Sequence, residues 1–277
     1  MLELILFSFL SIFIITPCGY IFNKNNNQII NLSNHLIYGI ILISFITLVI
    51  NFFFPLNIIV NSCILILPLL IILKNYKFYF SLNFLKFAIF NTIIIFLLVA
   101  KSNIYRPDAI LYHLSYTGIL NNEKIIFGLS NLHFRFAHIS IIQYFSAFFN
   151  NIIFETKGIV IAIALVSSAV IINFLSHLLN YLKTKNYNFH FFFLLSLLIY
   201  IGYKMNRYGE FGNDAPTHFL FFFLISEILL HINKEKENFV AKNLILASFI
   251  VLNKITMAFA LFLPIIFISK KNIKKEF

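Results

Sequence analysis

Apolar stretches of roughly bilayer length recur from one end of the chain to the other, at 4–22, 36–54, 58–73, 84–100, 159–182, 189–203, 217–232 and 240–269. A hydrocarbon core of about 30 Å needs about 20 mostly apolar residues in a helix. Of the 277 residues, 60% are hydrophobic and 11% charged, whereas a soluble domain carries about 25% charged residues. The pattern predicts an all-α, polytopic transmembrane bundle in a single domain, 1–277. The last run is too long for one helix and is split by Asn253-Lys254 into two short ones, giving about nine spans.

Orientation follows from the lysines. The net charge of +11 is spread over short loops at Lys24, Lys74, Lys77, Lys183, Lys185, Lys234, Lys236 and 270–275, and such loops face the cytoplasm. Parity then requires that 136–154 does not cross. His138, Gln143, Asn150 and Asn151 interrupt that segment, which suits a helix lying in the membrane interface. The segment 101–157 becomes an extracytoplasmic loop, and 204–216 and the Asn253-Lys254 corner fall on the same side. The multi-pass protein is expected in a bacterial inner membrane, with its site facing the periplasm or exterior.

Several classes are disfavoured. The basic residues form no groove with interleaved aromatics, so no nucleic-acid partner is expected. Cys18 and Cys63 lie in apolar runs, against a disulfide framework or a zinc site. Glu3 stands where a secretory signal would carry basic residues, so the first apolar run reads as a span. With lysines at 270–275 and no closing polar domain, the chain is expected to be the membrane core, or an N-terminal fragment, of something longer.

Chemistry is concentrated in the polar island 101–138. In Tyr105-Arg106-Pro107-Asp108-Ala109-Ile110-Leu111-Tyr112-His113-Leu114, proline fits the first position of a helix. Asp108, Tyr112 and Ser115 then share one α-helical face and Ile110, Leu111 and Leu114 another. The helix start and Arg106 both favour an ionised Asp108, suited to activating a hydroxyl, to electrostatic stabilisation or to metal ligation. Dipole complementation alone is the alternative. His113 joins the substrate-binding candidates. Downstream, His133, Arg135 and His138 can contact a phosphate or simply lipid headgroups. The second loop supplies Arg207, Glu210 and Asp214. Glu210 is flanked by Gly209 and Gly212, whereas Asp214 can be explained as a helix start. Lys254, between two apolar half-helices, needs a partner or an interface. No spacing matches two histidines and an acid on one helix face, so the metal is unknown and no cofactor is certain, with a divalent cation possible. Glu227 and His231, one turn apart near the cytoplasmic end of their span, read as interfacial.

The run from Arg106 to Leu114, followed by Glu123-Lys124 and Gly128-Leu129-Ser130-Asn131-Leu132-His133-Phe134-Arg135, resembles an uncharacterised group of bacterial polytopic proteins with an Asp-x-x-x-Tyr-His-Leu helix and a Gly-Leu-x-Asn-Leu-His-x-Arg loop. That group resembles the GT-C glycosyltransferases, the family 39 type included. The resemblance implies transfer of a sugar from a polyprenyl-phosphate donor to an extracytoplasmic acceptor in cell-envelope glycan synthesis. It implies Asp108 as the catalytic acid of an early outer loop, and Asn253-Lys254-Ile255-Thr256 as a lysine-bearing turn. Arg106 stands where a second acid is usual. An O-antigen ligase or polymerase is the alternative, and a transporter or flippase of lipid-linked glycans the third reading.

Overall fold

The computed structural model describes residues 1–22, 28–100, 107–137, 140–205, 210–231 and 239–266, and among these every regular element is helical. Four helices are long and apolar enough to cross a membrane: α1 (Leu2–Gly19), α2 (Ile29–Asn51), α6 (Leu82–Ala100) and the continuous helix Thr156–Thr184. The last of these opens as a 3₁₀ turn and continues as α9 (Ile161–Thr184). The remaining apolar helices are shorter: Ile58–Lys74, α10 (Phe189–Tyr203), α12 (Phe239–Asn253) and Ile255–Ile265. Between them lies α11 (Asp214–His231).

The bundle is organised around α9, in which every residue from Ile161 to Phe174 is buried. A helix apolar on all sides belongs at the centre of its neighbours, and α9 packs against α1, α2, α6, α10 and α11. Within lipid, apolar burial gives helices little reason to associate, and close backbone packing takes over. The α1–α2 pair shows how. A Cβ on Gly19 would lie 1.8 Å from the His35 carbonyl oxygen, and one on Gly39 would lie 2.2 Å from that of Ile15. Each glycine removes the side chain that would hold the other helix away. Serine and threonine in these spans bond to their own backbone, as Thr16 does to the Ile12 carbonyl (2.7 Å) and Ser44 to that of Ile40 (2.6 Å). A hydroxyl at membrane depth is satisfied in this way without a partner helix.

The run 58–73 forms the helix Ile58–Lys74, interrupted once, at Leu65, between α3 (Ile58–Ile64) and α4 (Ile66–Lys74). Pro68 supplies the reason, since its ring conflicts with the carbonyl four residues earlier. The segment 136–154 forms no crossing helix, as expected. Its helix, α8 (Ile141–Phe148), has eight residues, all buried. At 1.5 Å per residue it is about 12 Å long, far too short to cross.

Such irregular backbone can be buried because asparagine amides satisfy its carbonyls. The Asn61 amide donates to Leu56, Ala147 and Asn150 (2.6, 2.9 and 2.9 Å), and that of Asn121 to Leu56 and Ala147 (2.7 and 3.0 Å). Asn51 reaches the carbonyls of Phe54, Leu120 and Glu123. These clamps tie α7 (Ser115–Asn122) and α8 to the region after α2. A satellite core of Leu56, Tyr116, Leu120, Leu129, Tyr144 and Ala147 fills the space between. The split of the last apolar run is where it was expected. After α12 the chain is extended at Lys254, then continues as a 3₁₀ helix (Ile255–Leu261) and α13 (Phe262–Ile266).

Candidate functional site

Asp108 opens a helical segment whose next turn, Ala109–Leu114, is a π-helix. Single π turns widen the helix to i→i+5 bonding and frequently mark functional sites. Here the turn changes which side chains share a face. On an α-helix, Asp108, Tyr112 and Ser115 would align. In the structure Asp108, Tyr112 and His113 line one cleft, while Ser115 turns away and its hydroxyl bonds to the Ile110 carbonyl (2.6 Å). Ile110 and Leu111 point outward and are exposed, as are Phe127, Leu132 and Phe134 on the following loop. Apolar groups presented together in this way suit contact with lipid.

The opposite wall of the cleft is the second polar loop. Glu210, Phe211, Gly212, Asn213, Asp214 and Ala215 complete the lining of an open cleft with a cavity volume of about 70 Å³. The two polar segments, more than ninety residues apart, therefore do converge. The third polar element joins them through Asn253, which is buried. Its side-chain oxygen accepts from the Ser140 hydroxyl (2.9 Å) and the Ile142 N–H (3.0 Å). Its backbone carbonyl accepts from the Asn213 amide (3.2 Å).

Two ion pairs flank the cleft. Arg135 Nη1 lies 2.5 Å from Asp108 Oδ1, and its guanidinium sits 5.3 Å from the Tyr112 ring centroid. Lys254 Nζ lies 2.5 Å from Asp214 Oδ1. Lys254 thus meets a carboxylate, and Asp214, the first residue of α11, directs its side chain to that lysine. Asp108 and Arg135, expected to act on hydroxyl and phosphate respectively, bind each other. Burial raises the Tyr112 hydroxyl above its usual range, with Asp108 adding to the effect.

His113 forms the floor of the cleft and is 3% exposed. Burial pulls its imidazole from 6.5 down to about 4, against the opposing pull of Asp108 and Asp214, so it is neutral at physiological pH. Its Nδ1 is 3.0 Å from Gln143 Nε2. His133 takes no part in the lining. Its ring is exposed, stacks on Phe134 and accepts the Arg135 N–H at 3.3 Å. Arg106, His138 and Arg207 lie outside the described residues. Among the described residues, no group of three or more His, Cys, Asp or Glu side chains is placed to hold a metal ion.

Sequence reasoning placed the Asn253-Lys254 corner on this side but missed Gln143, Asn213 and the bonds that Asn253 accepts. The Ser140-x-x-Gln143 capping pattern was a legible signal for the first. No comparable signal marks the other two, because their partners are distant in the chain. No curated protein and no solved structure matches the chain. The sequence profile described as "Domain of unknown function (DUF8201)" matches residues 1–277, so the chain belongs to that family.

Proposed function

We propose that the protein is a membrane glycosyltransferase of the GT-C kind, in a bacterial inner membrane, moving a sugar from a polyprenyl-phosphate donor to an acceptor hydroxyl at the extracytoplasmic face. In this reading the short apolar helices complete a bundle of about nine crossings. One observation carries the proposal: Asp108 sits on the rim of a polar cleft, held by a cation that a phosphate can claim.

The chemistry runs through that exchange. The donor phosphate engages Arg135, whose planar fork binds phosphate as readily as carboxylate, and Lys254 stands on the other flank. Asp108, released, accepts the proton of the acceptor hydroxyl as its oxygen attacks the anomeric carbon. The bond from that carbon to the phosphate oxygen breaks, and polyprenyl phosphate leaves with the electron pair. Arg135 carries the charge gained by the leaving group. The exposed apolar side chains of Ile110 and Leu111, on the turn that carries Tyr112 and His113, and of Phe134 against Arg135 suit delivery of a lipid-linked donor from the bilayer.

General-base assistance contributes about 10²–10⁴-fold. Asp108→Asn should therefore lower glycan transfer by that factor while the purified protein melts as the wild type does. Normal glycan formation in cells carrying this variant would end the assignment. An O-antigen ligase or polymerase would instead tolerate Asp108→Asn and fail on Arg135→Ala, so the pair of variants separates the two.

A further inference from the structure

His113 is almost wholly buried, yet one edge of its ring faces open space. The Nε2 atom has no hydrogen-bond partner among the described residues. It would lie 3.3 Å from a Cβ placed on Gly212, which itself lines the cleft. An imidazole nitrogen buried to this extent ordinarily bonds to protein or water.

The proton on that ring can be located from the network. Gln143 Oε1 accepts the Ser140 N–H at 3.0 Å, in the capping box that opens α8. That bond fixes the amide, so its Nε2 is the atom facing His113 Nδ1. An amide nitrogen only donates, which makes Nδ1 the acceptor. The single ring proton therefore sits on Nε2, pointing into the cleft. Asn253 holds the arrangement in place by accepting from Ser140 and Ile142.

The rest of the lining consists of acceptors and mixed groups. Asp108, Glu210 and Asp214 offer carboxylate oxygens and Asn213 an amide. No cation is among the described residues that line the space, because Arg135 and Lys254 stand behind the carboxylates they bind. A hydroxylated ring would give its hydrogens to those oxygens and take one hydrogen bond from the histidine.

We propose that this cleft is a binding site for the uncharged, hydroxylated ring of a sugar, and that His113 donates its Nε2–H to one oxygen of that ring. The inference deepens the transferase reading by naming what the cleft holds, and it assigns phosphate to the flanking cations instead. Gly212 is part of the site: a side chain there would cover the donor. A glutamine at 113 can place an amide N–H near the position of Nε2, whereas phenylalanine keeps the volume without the donor.

The full chain in detergent micelles or nanodiscs would be titrated with a panel of methyl hexopyranosides and methyl pentofuranosides, and with inorganic phosphate, following ligand saturation transfer. At least one methyl glycoside should bind without competition from phosphate. Binding should weaken by about tenfold or more in His113→Phe and Gly212→Val, the loss of roughly one buried hydrogen bond, and stay within about threefold in His113→Gln. Side-chain ¹⁵N spectra should show His113 as the Nε2–H tautomer in the wild type. Failure of every glycoside to bind, competition by phosphate, equal binding in the three variants, or the Nδ1–H tautomer would each overturn the proposal. Loss of transfer in Asp108→Asn alongside unchanged glycoside binding in His113→Phe would leave the transferase reading standing and remove only this one.

Discussion

The two ends of α11 both carry polar clusters, about 26 Å apart at 1.5 Å per residue, and they are built on opposite principles. At the Lys254 end, ion pairs flank a cleft and the buried His113 faces it with an N–H that has no partner among the described residues. At the His231 end, the histidines are consumed. His190 takes the Tyr181 hydroxyl at Nδ1 (3.0 Å) and Ser226 at Nε2 (2.9 Å), while His177 packs edge-on against it and His231 bonds the Glu227 carbonyl (2.8 Å). Reading Glu227 and His231 as isolated interfacial groups therefore understated them, since His190 and Ser226 lie close by. Polar side chains that bond to one another fasten α9, α10 and α11 together. Side chains that leave a donor open toward a cavity are arranged for something else.

This contrast can be broken by experiment. The largest effect on stability is expected from Asn253→Ala, which strips the acceptor from two buried donors at about 1–3 kcal/mol each and so should also release His113 from its fixed tautomer. Thermal unfolding and the ¹⁵N spectrum would be measured together; a lowered melting temperature with the tautomer intact would uncouple the corner from the cleft. Next comes pH. The folded pKa of His113, about 4, is below its ordinary 6.5, so the unfolded chain binds the proton more readily. Stability should be constant above about pH 6.5, fall as pH drops toward about 4, and level off below, a change of up to about 3 kcal/mol. The same titration on His113→Gln should lack that component.

A smaller effect, about 1–2 kcal/mol, is expected for Ser226→Ala at the opposite end, with glycoside binding unaltered. Weaker binding in that variant would show that the two clusters communicate. Smallest of all is Lys254→Met. A partly exposed pair contributes about 0.2–1 kcal/mol, so the melt should hardly move, whereas donor-dependent transfer should fall.

How much of this was legible in the chain depends on the range of the interaction. Apolar run lengths announced a helical bundle, and lysine placement brought 101–138, 204–216 and Asn253-Lys254 to one side, where contacts now join them. The α-helical period placed Tyr112 correctly beside Asp108. It misplaced Ser115 and overlooked His113 on that face, because a π turn shifts the register by one residue and leaves no mark in composition. The break at Leu65 and the burial of α8 went unread for a related reason. Whether an apolar stretch spans, breaks or folds inward depends on who satisfies its backbone. The answer came from Asn51, Asn61 and Asn121, whose partners lie up to 89 residues away. In a chain this rich in asparagine, nothing local distinguishes a clamp from filler.

The Asn61 clamp also has a history in time. Its amide reaches the carbonyl of Asn150, 89 residues later. At about 5–20 residues per second, a ribosome needs about 4–18 s to make that stretch. Throughout that interval α3 has its donors ready and part of their acceptors not yet synthesised. The nascent protein must therefore shelter a polar amide until α8 arrives to close over it, which makes Asn61 a place where assembly waits.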